Sequence, residues 1–458
     1  MVRTLSVAAA VALGAFLPGC WVLLPSGGCP DGGGCPEGTF CGGDGYCHVD
    51  GATGTTGRAG SSGSSTGSTA GGGSTGGSST GAASSGGSTG GVSSSGGSST
   101  GGSTGGPPCY CPTCSAAAGG IPLGPSDGGL TPRYGLAAVY LDRYIFAIGG
   151  VDSCGVPTPV IGFYDTSNPG GWQPTSTSHL DLPDLPMTAP LPVGWSFASA
   201  AGVIFSQNGA SSYGLAVMGG ESPGSVSSGA VAFSFGGDFW QSEGSLPEPL
   251  YAGAAVLNPS NPQCLELLGG LTNPDGGQAS PTAAIETLCN PFNGQGVVSG
   301  VPWSTSTLAL PSPIAYEAAT QDSAGNTYVL GGEIPGVEVS EAVWVIDPTF
   351  SSVDTSFPPT TIGHYGGGAT ILGNTLYAIG GAGNGFGGPT KEVEQTDLTN
   401  PGWSHAIGQD LNVAREYFGT VTDGDGNIYV IGGLGSGGQV YGDMEVFNAT
   451  TGAWRLVP

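Results

Sequence analysis

The sequence predicts an all-β fold, a six-bladed β-propeller, and three observations carry that prediction. Between Leu130 and Pro458 an apolar strand runs into a glycine pair six times. The first glycines of successive pairs are 70, 50, 62, 49 and 52 residues apart. Each interval divides into four short strands at Gly, Asn, Asp and Thr turns, and such a period is typical of propeller blades. The pairs are Gly149-Gly150, Gly219-Gly220, Gly269-Gly270, Gly331-Gly332, Gly380-Gly381 and Gly432-Gly433.

The last unit illustrates the division into strands. Its strands are predicted in REYFGTVTD, NIYVIGG, DMEVFNA and AWRLVP. A tryptophan follows four of the glycine pairs by 22, 20, 22 and 21 residues, whereas units three and four are degenerate there. Glycine is expected at a strand end that approaches the neighbouring blade, because the backbone there needs positive φ and no Cβ. The four tryptophans are Trp172, Trp240, Trp403 and Trp454.

This pattern resembles the Kelch repeat, in which a double glycine is followed by an aromatic with Asp or Asn and then by Trp. Tyr164-Asp165 and Phe447-Asn448 supply the aromatic and acid or amide. The resemblance covers residues 130–458 and implies a Kelch-type β-propeller. Six complete units fit in that range, so the ring is expected to close without a strand from elsewhere in the chain.

The first 20 residues have the layout of a signal peptide: Arg3, then an apolar run, then Leu-Pro-Gly-Cys. The ending resembles a bacterial lipoprotein box, with Cys20 lipidated and a membrane attachment through the lipid. Pro18 departs from that pattern, so an uncleaved anchor over Leu5–Leu24 and ordinary secretion stay open. Each alternative exports the chain.

Residues 21–50 form a small Cys-rich segment. Its four cysteines are evenly spaced in a stretch with few apolar side chains, which favours two disulfides over a zinc site. Residues 51–106 are almost entirely Gly, Ser, Thr and Ala and are predicted to be a disordered tether. Its extended reach is about 190 Å. The four cysteines are Cys29, Cys35, Cys41 and Cys47.

Cys264 and Cys289 are predicted to form a disulfide. They lie on consecutive antiparallel strands at equal distances from the turn between them, so they face each other. Cys154 is expected to pair with a cysteine of the lead-in segment 107–129, which contains CYCPTC.

The charge balance excludes several functions. The chain has 33 acidic and 7 basic residues and a net charge of −26, so nucleic acid is not a predicted partner. The four histidines have no spacing that suggests a metal site or a triad. Two G-x-G-x-x-G matches lead into strands rather than helices, and Asp423–Asn427 is predicted to be a hairpin turn. No cofactor, metal or catalytic set is predicted, and a monomer is expected.

An aromatic side chain opens the first strand of every unit. Counting back 15 residues from the first glycine reaches a tyrosine in units one, four, five and six, whereas unit two offers Trp195 or Phe197. The first strand of a propeller blade is innermost, so these side chains are predicted to ring one channel mouth. Asp152, Glu221 and Glu333 are expected in loops on the same face. The predicted rim is Tyr134, Trp195, Tyr251, Tyr316, Tyr365, Tyr417, Arg133 and Arg415.

Two interpretations of the tyrosines stay open, packing within the repeat and ligand binding. The functional hypothesis is an exported, surface-tethered module that binds a glycan or protein ligand at the mouth and has no catalytic role. One alternative is an enzyme resembling sialic acid mutarotase, which implies roles for Glu317, Glu416, Arg133 and Arg415. A purely structural surface protein is the other alternative.

Overall fold

The structure, a computed structural model, describes residues 39–41, 47–49 and 129–457. Within the last range the gaps are 175–190, 193, 208–209, 223–224, 236–238, 274–278, 294–295, 299, 336–338, 384–386 and 407. The leader with Cys20, the tether, the CYCPTC cluster and most of the Cys-rich segment therefore lie outside the described residues. Within the separate unit Leu24–Tyr110, Thr39–Cys41 pairs antiparallel with Cys47–Val49.

The described chain is all-β apart from one 3-10 turn at Ser436–Gly438. It contains six four-stranded antiparallel sheets, here called blades 1 to 6, each with its strands in sequence order. In blade 1 the strands are Ala137–Leu141, Tyr144–Ile148, Ile161–Asp165 and Gln173–Pro174; in blade 2, Ser199–Gln207, Ala210–Met218, Gly229–Ser234 and Phe239–Ser245; in blade 3, Ala254–Asn258, Asn261–Leu268, Ile285–Cys289 and Ser304–Thr305.

The other three blades follow the same order. Their fourth strands are two residues long in blades 4 and 5 and five in blade 6. In blade 4 the strands are Ala315–Gln321, Thr327–Glu333, Val343–Ile346 and Val353–Asp354; in blade 5, Gly368–Leu372, Thr375–Ile379, Val393–Asp397 and Ser404–His405; in blade 6, Gly419–Thr422, Asn427–Ile431, Met444–Asn448 and Ala453–Val457.

Short two-residue strands lie before the first strands of blades or in the connections between later strands. They pair antiparallel with one another outside the four-stranded sheets. They are Arg133–Tyr134, Val151–Asp152, Glu221–Ser222, Ser225–Val226, Leu250–Tyr251, Leu271–Thr272, Ser280–Pro281, Phe292–Asn293 and Gly296–Val297. No helix in the described ranges is long and apolar enough to cross a membrane.

The hydrophobic core lies between blades. Six apolar clusters each combine side chains of two neighbouring blades, and the one formed by Ile145 and Tyr164 with Ile431 and Met444 joins blade 1 to blade 6. A second strand such as Tyr144–Ile148 is buried at every position, because both of its faces meet apolar side chains. This explains why Tyr144–Ile148 is a continuous apolar run.

The glycine pairs have the role that the sequence predicts. All twelve glycines have φ between 52 and 104°. A Cβ on Gly149 would lie 2.3 Å from the carbonyl oxygen of Trp195 in the next blade. The N–H of Gly150 donates to that same oxygen at 2.8 Å. The first glycine gives the next blade room to approach, and the second donates a hydrogen bond to it.

Tryptophans in or next to the fourth strands pack between blades. The Nε1 of Trp403 donates to the carbonyl of Pro358 at 2.9 Å, and that of Trp454 to the carbonyl of Gln409 at 2.6 Å. Both carbonyls belong to connections between blades, so each indole joins its own blade to the chain entering it.

The disulfide between Cys264 and Cys289 is confirmed, and the two residues face each other in the antiparallel register of blade 3. Cys154 is also disulfide-bonded. Asp423–Asn427 is confirmed as a hairpin turn, in which the Asp423 carboxylate accepts hydrogen bonds from the backbone of Asp425 and Asn427. Asp322 does the same for Ala324 and Asn326.

Candidate functional site: the channel mouth

A closed ring of backbone hydrogen bonds surrounds the channel where the first strands begin. One residue from each blade has a left-handed conformation with φ between 51 and 60°. Its N–H donates to the carbonyl of the corresponding residue in the preceding blade, at 2.7 to 3.1 Å, and blade 1 donates to blade 6. These six residues are therefore equivalent positions. They are Gly135, Phe197, Ala252, Tyr316, Gly366 and Tyr417.

The side chains at these positions alternate between small and aromatic. The rings of Phe197, Tyr316 and Tyr417, from blades 2, 4 and 6, lie with their centroids 5.3 to 5.6 Å apart. We call these three rings the aromatic plug, because their mutual contact closes the channel at this level. A Cβ on Gly135 would lie 2.9 Å from the Phe197 ring, and one on Gly366 would lie 2.7 Å from the Tyr417 ring. Small residues in alternate blades make room for the plug.

Tyrosines of blades 1, 3 and 5 surround the plug. Tyr134, Tyr251 and Tyr365 each directly precede the small residue of their blade, and all three are half-buried. The Tyr365 ring lies 4.9 Å from that of Tyr316, and the Tyr134 ring 6.1 Å from that of Phe197. Burial raises the pKa of Tyr134 and of Tyr251 to about 12, so both phenols are neutral near pH 7.

In blades 2, 4 and 6, glutamates lie where blades 1, 3 and 5 have these tyrosines. The residue before each plug aromatic pairs across the strands with the residue after the glycine pair: Ser196 with Glu221, Ala315 with Glu333 and Glu416 with Leu434. Each of these pairs contains one glutamate. In blades 1, 3 and 5 the same pair contains a tyrosine and an aliphatic residue.

We call these six side chains the tyrosine–glutamate ring. Burial raises the pKa of Glu221 and Glu333 above the usual value, and that of Glu416 to about 7. All six side chains are partly exposed, so a ligand can reach them. In order around the channel they are Tyr134, Glu221, Tyr251, Glu333, Tyr365 and Glu416.

Three of the predicted rim residues lie elsewhere, which corrects the interpretation of Arg133, Arg415 and Trp195. They stand two residues before the left-handed position, and their side chains turn into the blade interface. Arg133 is 1% exposed and donates to the carbonyls of Gly149 and Val160. Trp195 belongs to the core between blades 1 and 2, so Phe197 is the channel aromatic of its unit.

Arg415 is held by a second buried network. Its guanidinium donates to Glu445 and Asp443, each at 2.9 Å, and to the carbonyl of Gly432. Glu445 also accepts hydrogen bonds from the backbone N–H groups of Asn412 and Val413, in the connection to blade 6. Arg415 is therefore part of the junction between blades 5 and 6.

His364 is the counterpart of Arg415 in blade 5. Its Nε2 lies 3.2 Å from Glu394, whose carboxylate also accepts from the backbone of Thr361 and Ile362. No group of three or more His, Cys, Asp or Glu side chains arranged for a metal ion occurs among the described residues.

Comparison with known proteins agrees with this architecture. Residues 417–458 match the family model of the Kelch motif. No curated protein matches the chain. Among solved structures, YjhT is similar, with a TM-score of 0.53 at 17% identity over 74% of this chain and 99% of YjhT. At that identity the likeness concerns the fold alone. The motif match supports a Kelch-repeat protein, and the likeness to YjhT shows the β-propeller fold.

Proposed function

We propose that this protein is an exported, tethered binding module that holds a glycan or protein ligand at the channel mouth. The observation that carries the proposal is the tyrosine–glutamate ring above the aromatic plug. It places partly exposed aromatic and polar groups on one face, which is the composition of recognition sites. Export and membrane attachment rest on the leader and the tether in the sequence.

The enzyme alternative has less support. A mutarotase-like site would need an acid and an arginine together at the mouth. Arg133 and Arg415 are both buried away from the channel, and Glu317 is also buried, with 7% of its surface exposed. Of the four residues implied by that resemblance, Glu416 alone lies in the ring. A binding role needs no such acid–arginine pair.

A glycan and peptide array probed with the full chain tests the proposal. Ligands that it identifies are then titrated against Tyr134→Ala/Tyr251→Ala, with Tyr213→Ala as the control for loss of a half-buried tyrosine outside the mouth. We expect the double variant to weaken binding about tenfold or more, since it removes contact area at the site centre. Thermal melts are recorded beside each titration.

Two results would contradict the proposal. One is a large drop in melting temperature for the mouth variants with unchanged affinity per folded molecule, which would make the tyrosines packing residues. The other is an array without a ligand together with measurable interconversion of sialic acid anomers by NMR. That second outcome would favour the enzyme.

A further inference from the structure

We infer that the tyrosine–glutamate ring takes a cationic group, the ammonium or guanidinium of a basic peptide side chain. This inference rests on the proposed binding function and selects its protein ligand over a glycan. Three half-buried tyrosines alternate with three glutamates around a closed aromatic floor. Aromatic rings with carboxylates between them are the side chains that attract organic cations at short range.

Among the residues that the structure describes, the carboxylates of the ring have no cationic partner. Burial alone raises the pKa of Glu221, Glu333 and Glu416, and no basic group offsets it. None of the three side chains makes a hydrogen bond or ion pair with another described residue. The arginines nearest in sequence are committed elsewhere, Arg133 to backbone carbonyls and Arg415 to Glu445. A ligand cation would supply the missing counter-charge.

The aromatic plug also favours a cationic ligand. Phe197, Tyr316 and Tyr417 close the channel beneath the ring, so a group that enters meets ring carbons instead of open solvent. A cation removed from water loses hydration, and attraction to aromatic rings and carboxylates compensates for that loss. A neutral sugar would donate hydroxyl hydrogen bonds to the three carboxylates but would bring no charge to balance theirs, and an anionic sugar would be repelled.

The charge of the whole chain favours the same ligand. With a net charge of −26, the protein attracts basic partners at long range and repels acidic ones. That attraction acts anywhere on the surface, so a test has to distinguish binding at the ring from attraction by the net charge of the protein.

The test is calorimetric titration of the full chain with tetralysine and with tetramethylammonium, at about pH 8 and about 0.15 M salt. The mouth variant is Glu221→Gln/Glu333→Gln/Glu416→Gln. The matched control is Asp354→Asn/Asp397→Asn/Asp425→Asn, which removes the same number of charges from exposed turns and edges. We expect the mouth variant to lose about tenfold or more in affinity for both probes, and the control to lose about threefold or less. The mouth variant is expected to melt no lower than the wild type.

Equal losses in the two triple variants would overturn the inference, because binding would then follow net charge alone. No measurable binding of either probe to the wild type would overturn it too. If the array identifies a glycan whose affinity falls in Tyr134→Ala/Tyr251→Ala and is unchanged in the glutamate variant, the binding function stands and the cationic ligand is wrong. If neither set of variants alters any ligand's affinity, both proposals fail.

Discussion

Glu445 and Glu243 are both fully buried, yet they lie in opposite situations. Glu445, at the junction between blades 5 and 6, accepts hydrogen bonds from the connecting backbone and forms an ion pair with Arg415. Glu243, on the outermost strand of blade 2, has neither carboxylate oxygen hydrogen-bonded to a residue that the structure describes. Gly149 and Gly373 likewise differ in whether a neighbouring blade contacts them. Both have φ of 62°, but only Gly149 faces a neighbouring blade. At the blade junctions Glu445 and Gly149 thus join neighbouring blades, whereas Glu243 and Gly373, which lie away from the junctions, make no such contact with the described residues.

The largest effect is expected at the buried ion pair between Arg415 and Glu445. Glu445→Ala should destabilise the protein by about 3 to 5 kcal/mol, because it removes the fully buried partner of the Arg415 guanidinium, which then keeps only Asp443. It also removes the acceptor of two backbone N–H groups in the connection to blade 6. Arg143→Met, which breaks the more exposed ion pair with Asp165, should cost about 1 kcal/mol or less because Arg143 is 39% exposed. Denaturant unfolding of the two variants measures the difference. Similar costs would show that the two regions are not distinct.

The glycine comparison should give the next largest effect. Gly149→Ala and Gly373→Ala impose the same positive φ on alanine, which costs about 1 to 2 kcal/mol. The new Cβ would meet the carbonyl of Trp195 at 2.3 Å in the first case and no atom within 4 Å in the second. We expect Gly149→Ala to cost about 1 to 3 kcal/mol more. Equal unfolding free energies would rule out the close approach as the reason for the pair.

The two regions should also respond to pH with opposite signs. Hydrogen bonds from His364 and Thr361 hold the pKa of Glu394 below its usual value against the effect of burial. Stability from Glu394 is therefore present at neutral pH and lost on acidification through its folded pKa. Burial raises the pKa of Glu243 from 4.5 to about 8, so its contribution is present below 4.5 and lost as pH rises towards 8.

Unfolding free energies of Glu394→Gln and Glu243→Gln, measured from about pH 4 to about pH 8, check these signs. The cost of Glu394→Gln should shrink towards low pH. A cost that is constant across the range would contradict the role of the Glu394 charge.

The smallest effect is a gain in stability. Glu243→Gln should stabilise the protein by about 1 to 3 kcal/mol at pH 8 and by little near pH 4, because an amide neither buries a charge nor has to take up a proton on folding. Glu445→Gln serves as the inner control and should destabilise at pH 8. A loss of stability in Glu243→Gln would indicate a partner for Glu243 among residues outside the described ranges.

Much of the fold could be predicted because it depends on local sequence patterns. The glycine pairs mark a strand end next to a neighbouring backbone, and the antiparallel register of Cys264 and Cys289 follows from equal distances to their turn. Aromatic residues at the mouth could be found by counting from the glycines. These features depend on strand period and turn chemistry, which the sequence shows directly.

The alternation at the mouth could not be predicted by that counting. A fixed distance of 15 residues treats Tyr134 and Tyr316 as equivalent. Tyr316 itself has the left-handed conformation, whereas in blade 1 that conformation belongs to Gly135, the residue after Tyr134. The reason is the first hairpin, whose turn is longer in blade 4, at Asp322–Asn326, than in blade 1, at Asp142–Arg143. The sequence likewise does not reveal that Arg133 and Arg415 turn into the blades, since that depends on contacts with a neighbouring strand.

Small and aromatic residues alternate around the mouth, so an even number of blades is needed for the pattern to close. In order they are Gly135, Phe197, Ala252, Tyr316, Gly366 and Tyr417. An aromatic of one blade leans over the small residue of the blade before it, so the unit that repeats around the channel is a pair of blades rather than one. Insertion or loss of a single blade would bring two like blades together, either two aromatics competing for one space or two small residues leaving a hole. Growth or shrinkage of this propeller in evolution would therefore be expected to proceed two blades at a time.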